Sequence, residues 1–259
     1  MARTLHVTIL GSGTCVPSLS RSACSVLVEA GSARILIDIG PGTMRRLLEA
    51  GLEIRQVSHL CLSHFHPDHS GELVPFLFAS KYPEGHRRRT PLTLVGGAGL
   101  NRFMQGLHGV YGRWIELEEG MFSLEEVDGH RRDLRSFEDF SVETMPVDHN
   151  PESVAFRITD PSGRSVVYSG DTDVSENLVA LSTGADLLIC ESAFPDDRKI
   201  PGHLTPSLAG ELAAKAGVKR LVLTHLYPDC EGVDLEAACR SRFDGEVLVA
   251  EDLMQLSVG

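Results

Sequence analysis

A cluster of histidines constrains this chain more than any other feature of its sequence. Three histidines and one aspartate lie within the six residues His64–His69, directly after the apolar segment Val57–Leu62. That segment predicts a short strand, and a strand end is where loops converge on a site while the scaffold stays rigid. Imidazole and carboxylate are common ligands of Zn, Mn and Fe. The sequence therefore predicts a metal site at this point.

The spacing within the cluster divides it into two pairs. His64 and His66 are two positions apart on a segment that Pro67 keeps extended, so both rings can face the same side. Asp68 and His69 stand at the turn into a helix and point elsewhere. One pair can serve one metal ion and the second pair another, and two adjacent ions suit hydrolysis. With 11 histidines in 259 residues, a chance cluster at this spacing is improbable.

Three later residues each come just after a predicted strand, where they can join the cluster. Alone, each has an ordinary interpretation as a turn or capping residue. Together with the cluster, they complete two metal sites of similar size. A carboxylate has two oxygens, so an aspartate can bridge two ions. The three residues are His149, Asp171 and His225.

The remaining pattern indicates an α/β (α+β) fold. Strands dominate the first half, and helices are predicted at Thr43–Ala50, from about His69 to Ser80 and at Pro206–Ala216. Because the sequence has no repeat, low-complexity tract or linker-like stretch, we expect residues 1–259 to form a single domain. Its architecture would be two packed sheets with helices outside.

Charge and cysteine usage narrow the partners and the compartment. The net charge of −12 argues against a large basic surface for nucleic acid, although bound metals can offset negative charge locally. The six cysteines form no CxxC pair, so we expect buried thiols in a reducing compartment rather than a thiolate zinc site. No signal-peptide pattern or membrane-length apolar run is present. We therefore expect a cytoplasmic protein without a membrane partner.

The metal-binding residues resemble the signature of the metallo-β-lactamase superfamily. The cluster matches its His-x-His-x-Asp-His motif, and the three later residues match its remaining ligand positions in order. The resemblance covers nearly the whole chain and implies a four-layer αββα sandwich with two divalent metal ions at the sheet edge. Zinc is expected, with Mn or Fe as alternatives, and Asp38 would support the ligands. The implied ligands are His64, His66 and His149 for one ion, Asp68, His69 and His225 for the other, and Asp171 as the bridge.

Other segments resemble the ribonuclease Z branch of this superfamily and its phosphodiesterase relatives. They are Leu10–Thr14, Glu191–Phe194 and Gly202–Thr205. The resemblance implies that His203 lies near the scissile phosphate and assists the leaving oxygen, while Glu191 orients it. Asp68 would accept a proton from the nucleophile as well as bind metal. Weaker candidates for phosphate contacts are Gly13, Thr14 and Thr43.

One departure from the ribonuclease Z pattern favours a small substrate. Ribonuclease Z proteins that process tRNA usually carry a long arm between the third and fourth metal motifs. Here those motifs, His149 and Asp171, lie only 22 positions apart. We therefore predict an enzyme that hydrolyses small or cyclic phosphodiesters, with a bridging hydroxide as the nucleophile. The alternatives are a ribonuclease Z-type tRNA 3′ endonuclease and a lactonase- or arylsulfatase-type hydrolase.

Three further questions stay open in the sequence. A binding protein without turnover is disfavoured, because all seven ligand positions are present. The partner we expect is a small phosphate ester rather than tRNA, and the resemblance is compatible with a homodimer. Arg87–Arg89 can reach a substrate phosphate or form a solvated loop. Trp114 can contribute to a lid over the site or to packing.

Overall fold

The computed structural model describes residues 5–82, 85 and 87–259. In this part of the chain, fourteen strands form two seven-stranded sheets. The strands of the first sheet are β1 (Leu5–Gly11), β2 (Ser25–Ala30), β3 (Ala33–Ile37), β4 (His59–Leu62), β5 (Leu92–Gly96), β6 (Phe122–Glu126) and β14 (Met254–Val258). The strands of the second sheet are β7 (Asp133–Ser136), β8 (Ser141–Pro146), β9 (Val154–Thr159), β10 (Ser165–Tyr168), β11 (Leu187–Glu191), β12 (Arg220–Thr224) and β13 (Glu246–Val249).

The order of strands is β14-β1-β2-β3-β4-β5-β6 in one sheet and β13-β12-β11-β10-β9-β8-β7 in the other. From β3 to β6 the first sheet is parallel, and from β10 to β13 so is the second. The helices of the described residues are α1 (Thr43–Glu49), α2 (Pro67–Ser70), α3 (Leu73–Lys81), α4 (Leu100–Tyr111), α5 (Glu176–Ser182), α6 (Pro206–Ala216) and α7 (Leu235–Arg240).

Three apolar clusters define four layers. The central cluster contains side chains of both sheets, such as Val7 and Ile35 from the first and Phe156 and Ile189 from the second. A second cluster lies between the first sheet and helices α1, α3 and α4. A third lies between the second sheet and helices α5, α6 and α7. The predicted αββα sandwich is therefore confirmed. No helix of the described residues is long and apolar enough to cross a bilayer.

The parallel strands bring their carboxyl ends to one edge of the sandwich. Asp38 follows β3, and His64 follows β4, its neighbour in the first sheet. In the second sheet, Asp171 follows β10, Glu191 ends β11, and His225 follows β12. Because these strands run side by side in the same direction, the residues at their ends meet at one place.

The prediction of one helix from about His69 to Ser80 is wrong in one respect, because the structure has two helices in this segment. Helix α2 ends at Ser70, and α3 begins at Leu73. At the break, the backbone N–H of Glu72 donates to the carbonyl of Ile39 rather than to the preceding turn, and its carboxylate accepts the backbone N–H groups of Gly42 and Met44 at the start of α1. The break thus ties the metal-binding segment to the helix that follows Asp38.

Candidate metal centre and active site

The carboxylate of Asp171 lies between two groups of histidines. Its Oδ2 is 3.8 Å from His64 Nε2 and 3.9 Å from His149 Nε2. Its Oδ1 is 3.2 Å from His69 Nε2 and 3.4 Å from His225 Nε2. The two oxygens therefore face different sets of imidazoles, which is the arrangement that a bridging carboxylate requires.

The first group is completed by His66 and oriented by neighbouring polar groups. His149 Nε2 lies 3.4 Å from His66 Nδ1, and the donor atoms of His64, His66, His149 and Asp171 all lie within 4.8 Å of one another. His149 Nδ1 donates to the carbonyl of Gly202 at 2.9 Å, which leaves its Nε2 free to bind a metal. The other ring nitrogen of His66, Nε2, lies 3.1 Å from Nδ2 of Asn150.

The second group consists of Asp68, His69 and His225 around the other oxygen of Asp171. Asp68 Oδ2 lies 3.6 Å from His225 Nε2 and 3.9 Å from His69 Nε2. All seven sequence-predicted ligand positions therefore converge on one pair of adjacent donor sets. The two sets share Asp171, which is buried.

The centre leaves buried polar atoms that metal ions would satisfy. His64 Nε2, His69 Nε2, His225 Nε2 and Asp171 Oδ1 are buried and have no hydrogen-bond partner within the described residues. Buried polar atoms without partners are costly in free energy and uncommon in folded proteins. Since all four atoms point towards shared positions and are metal-ligand types, the donor set fits divalent cations.

The ionisation of the ligands in the metal-free protein follows from burial and from charge. Burial lowers the pKa of His64 and of His149, so both rings are neutral and ready to donate a lone pair. Burial raises the pKa of Asp171, but the surrounding His225 and His69 outweigh it and hold the pKa well below its usual value. Burial also opposes ionisation of Asp68, yet the hydrogen bond of His225 and the charges of His69 and His225 lower its pKa to about 2.

Asp38, which the resemblance implies as a supporting residue, lies directly behind the ligands. Its carboxylate accepts hydrogen bonds from His69 Nδ1 at 2.7 Å, from the hydroxyl of Tyr168 at 2.9 Å, and from the backbone N–H and hydroxyl of Ser63, each at 2.8 Å. The hydroxyl of Ser63 also lies 3.0 Å from His64 Nδ1. One buried network therefore orients a ligand from each group.

His203 and Glu191 form a pair at the rim of the centre. His203 Nδ1 lies 3.0 Å from Glu191 Oε1, and the His203 ring stacks on that of His225 with centroids 5.4 Å apart. Glu191 is buried and also accepts the backbone N–H groups of Thr172 and Leu204. Burial alone would lower the pKa of His203, but the hydrogen bond and charge of Glu191 outweigh it and raise the pKa. Glu191 thus fixes the ring and favours its protonated form.

The three weaker phosphate-contact candidates occupy different environments. Thr14 lines a cleft that also borders Asp68. The backbone N–H of Gly13 already donates to the carbonyl of Ser22. Thr43 is buried, and its hydroxyl donates to the carbonyl of Gly40. All three therefore have an internal hydrogen-bond partner, since the hydroxyl of Thr14 accepts the backbone N–H of Val16, but Thr14 alone of the three also lines this cleft.

The arginine run and the tryptophan make contacts on the helical side of the first sheet. Arg88 is buried and donates to the backbone carbonyls of Ile54 and Val57, so it has a packing role. Trp114 packs near Phe78 and Tyr82, with ring centroids 6.0 and 6.3 Å apart. Arg87 pairs with Glu118. None of these contacts involves a residue of the metal centre.

The sequence-based prediction overlooked residues that act on the ligands from behind. Asn150 directly follows His149, and this adjacency was the only available signal. Ser63 likewise directly precedes His64. Tyr168 carried no local signal, and the segment Gly202–Thr205 gave no sign of the backbone contact that Gly202 makes, because both residues reach the centre only through the sheet order and a loop contact. These residues orient imidazoles, and such partners contribute strongly to metal affinity.

Comparison with known proteins supports the family assignment along the whole chain. The sequence profile of the beta-lactamase superfamily domain matches residues 33–226. An uncharacterised protein of Mycobacterium tuberculosis is 32% identical over 249 residues, which cover 94% of this chain and 89% of that protein. A ribonuclease Z of Mycolicibacterium gilvum is 28% identical over 285 residues, covering 98% of this chain and 96% of the relative.

Solved structures share the fold over nearly the full length. The metallo-beta-lactamase fold protein YhfI from Bacillus subtilis superposes with a TM-score of 0.83 at 24% identity, covering 98% of this chain and 99% of that chain. The short form of human tRNase Z gives a TM-score of 0.79 at 25% identity with the same coverage. The fold of this family implies divalent metal ions. With its predicted ligand residues gathered at the sheet edge, the chain belongs to the metallo-β-lactamase superfamily and resembles its ribonuclease Z-like branch.

Proposed function

We propose that the protein is a phosphodiesterase that hydrolyses small or cyclic phosphodiesters at a dinuclear metal centre. The observation that carries this proposal is the His203–Glu191 pair beside the two donor sets. Lactones, lactams and phosphodiesters all expel a leaving group that needs a proton, and the resemblance of this pair to the ribonuclease Z branch favours the phosphodiester among them. A protonated imidazole held beside the metals supplies that proton.

Each residue of the site has a defined part in the proposed reaction. Divalent cations, when bound, supply Lewis acidity towards phosphoryl oxygens and lower the pKa of water so that hydroxide is available near neutral pH. Asp68, whose carboxylate lies beside His225 and His69, accepts the proton that the nucleophile loses. His203 donates from Nδ1 to Glu191, so its Nε2–H is the proton that remains for the leaving oxygen. Glu191 keeps this ring charged and oriented.

We propose zinc as the native ion and a reducing, cytoplasmic setting. Five of the seven ligand positions are histidines, and imidazole suits zinc better than it suits manganese. All six cysteines are free thiols, and five of them are buried. This is the pattern of a protein that does not depend on disulfides.

The preference for a small substrate is supported by the cleft that borders Asp68. This cleft measures about 440 Å³, and residues such as Val16, Pro17 and Pro41 line it. Among its described lining residues Arg21 alone is cationic, and its guanidinium already donates to Ser12 Oγ and to the carbonyl of Ala250. A neutral organic group therefore fits this cleft better than a chain of phosphates does.

A ribonuclease Z-type activity is the second candidate, because relatives named ribonuclease Z match over nearly the whole chain. Against it stands the segment between His149 and Asp171, which holds only strands β9 and β10 and their short turn. An arm that grips tRNA has no room there. The net charge of −12 also disfavours a polyanionic partner.

The decisive experiment is a kinetic panel on the zinc-, manganese- and iron-loaded protein. The substrates are 2′,3′- and 3′,5′-cyclic nucleotides, a linear dinucleotide, precursor tRNA, an aryl sulfate and a lactone. We expect the highest kcat/KM with a cyclic or small linear phosphodiester. The His203→Ala variant should lose that activity by about 10²- to 10⁴-fold. Faster cleavage of precursor tRNA, or of the lactone or sulfate, would contradict the proposal.

A further inference from the structure

A closed ring of hydrogen bonds joins a predicted metal ligand to the loop that carries His203. The backbone N–H of Asp173 donates to the carbonyl of Asp148 at 2.8 Å. The N–H of Gly202 donates to Asp173 Oδ2 at 2.8 Å, and His149 Nδ1 donates to the carbonyl of Gly202 at 2.9 Å. Because Asp148 and His149 are consecutive, the ring closes on itself.

The loop also fits closely against the imidazole of His149. Gly202 has a φ of +84°, and a Cβ at this position would lie 3.2 Å from His149 Nδ1. A residue with a side chain there would have a strained backbone conformation, and its Cβ would crowd the imidazole of His149. The backbone of Gly202 thus contacts both His149 and Asp173, and His203 is the next residue. The position of His203 therefore depends on the contacts of Gly202 as well as on its own hydrogen bond with Glu191.

The Asp173 carboxylate has further donors that hold it in place. Its Oδ1 accepts the backbone N–H of Val174 at 2.8 Å, and Lys199 Nζ lies 2.9 Å from Oδ2. The Lys199 contact is a partly exposed ion pair, which contributes little to stability. The bond to Gly202 is charge-assisted and part-buried, so it is the stronger restraint on the loop.

We propose that Asp173 is a positioning residue, which acts through Gly202 to hold His203 against the leaving oxygen. This proposal rests on the proposed function for the role of His203, whereas the ring of hydrogen bonds is independent of that function. Asp173 touches neither the substrate nor the reacting atoms in this arrangement. Displacing a catalytic group by about 1 Å costs on the order of 10²-fold in rate, so the restraint has a kinetic consequence.

The kinetic test compares two leaving groups on the metal-loaded protein. Bis(p-nitrophenyl) phosphate releases a phenol that needs little protonation, whereas a cyclic nucleotide releases an alkoxide that needs it. We expect Asp173→Ala to lower kcat for the cyclic nucleotide by about 10- to 100-fold and the p-nitrophenyl rate by less than about threefold. Lys199→Met, which removes only the exposed partner of the same carboxylate, should stay within about twofold of wild type on both substrates.

A double variant separates positioning from general damage. If Asp173 acts through His203, adding Asp173→Ala to His203→Ala lowers the cyclic-nucleotide rate no further. Additive losses in the double variant, or equal losses on both substrates, would overturn the proposal. Metal content is measured on the same samples, and the rates are compared at equal metal occupancy.

Limited proteolysis tests the restraint without any activity. Trypsin cleaves after Arg198 and after Lys199, and both bonds lie on the loop that Asp173 restrains. In the metal-free protein, we expect Asp173→Ala to be cleaved at these bonds at least about tenfold faster than wild type. The matched Lys199→Met variant should be cleaved after Arg198 at the wild-type rate. An unchanged cleavage rate in Asp173→Ala would overturn the proposal, whether or not the protein hydrolyses a phosphodiester. Faster cleavage of this variant, together with a wild type that hydrolyses no phosphodiester, would refute only the proposed function.

Discussion

Oδ2 of Asp38 lies 2.7 Å from Nδ1 of His69, and both side chains are fully buried. The contact fixes which nitrogen of His69 carries the proton and turns Nε2 towards Asp171. The same oxygen accepts the hydroxyls of Tyr168 and Ser63, so the carboxylate is held from three sides. Asp38 therefore orients His69, a predicted metal ligand, without being a predicted ligand itself.

Replacing Asp38 should weaken metal binding without removing a ligand. We expect Asp38→Ala to lower zinc affinity by about 10- to 100-fold, because His69 loses the acceptor that orients its ring. Competition with a chromophoric chelator measures this affinity directly.

Asp160→Ala is the matched control for that measurement. Asp160 is also a buried carboxylate with several donors, namely Ser162 and Arg164, but it lies in the turn between β9 and β10. This turn is at the opposite end of these strands from Asp171. Asp160→Ala should therefore lower stability while zinc affinity stays within about twofold of wild type. Equal affinity losses in the two variants would mean that Asp38 acts only through general stability.

Removal of the metals should lower the melting temperature. Four buried donor atoms of the centre have no partner within the described residues, so bound ions stabilise the folded state over the unfolded one. At a free zinc concentration about 100 times Kd, the stabilisation is about 2.7 kcal/mol for each ion bound, or roughly 5–10 °C per ion in a chain of this size. Differential scanning calorimetry before and after chelation measures it. An unchanged melting temperature, with metal loss verified, would argue against a structural contribution of the ions.

Much of the centre could be predicted from sequence, because its ligands are chemically distinctive residues that follow apolar strands. His64 and His225 are examples, each one or two positions beyond a short buried strand. The edge strands β6, β7 and β14 were not predicted, because their residues are only partly buried and show no long apolar pattern. Strand β14 pairs with β1 from the other end of the chain, which is a tertiary property.

The backbone contacts at the centre likewise could not be predicted from the sequence. Gly202 contributes its carbonyl to His149, and the segment Gly202–Thr205 does not predict this backbone contact. Helices α5 and α7 are short, at seven and six residues, and such helices depend on packing more than on propensity. The ligand types were thus readable in the sequence, whereas the groups that orient them depend on the assembled sheets.

Gly40 connects the Asp38 turn to the metal-binding segment through close backbone packing. A Cβ at Gly40 would lie 2.0 Å from the carbonyl oxygen of Asp68 and 2.7 Å from Ala23 Cβ. Because a backbone carbonyl cannot move aside cheaply, Gly40→Ala should destabilise the protein by about 1–3 kcal/mol and weaken metal binding. Chemical denaturation of the metal-free protein and chelator competition measure the two effects.

Gly106→Ala is the control for this substitution. Gly106 lies inside helix α4, and a Cβ there would meet nothing within 4 Å. Alanine favours the helix by about 0.5–1 kcal/mol over glycine, so this variant should be as stable as wild type or more so. A destabilised Gly106→Ala, or a fully stable Gly40→Ala, would contradict the packing argument.

His59 predicts how stability depends on pH in the metal-free protein. Its ring packs edge-on against Phe137 and Phe140, with centroids 4.5 and 4.8 Å away, and burial lowers its pKa from 6.5 to about 4. Between these two pH values, the unfolded chain binds a proton at His59 that the folded chain does not bind. The contribution of neutral His59 to the free energy of unfolding is therefore fully present above pH 6.5 and is lost as the pH falls towards 4. His59→Gln cannot titrate, so we expect it to lose about 1–2 kcal/mol less than wild type on going from neutral pH to pH ~4.5, after discounting for partial exposure. Urea unfolding of both proteins at the two pH values measures this difference, and parallel losses would show that protonation of His59 does not limit acid stability.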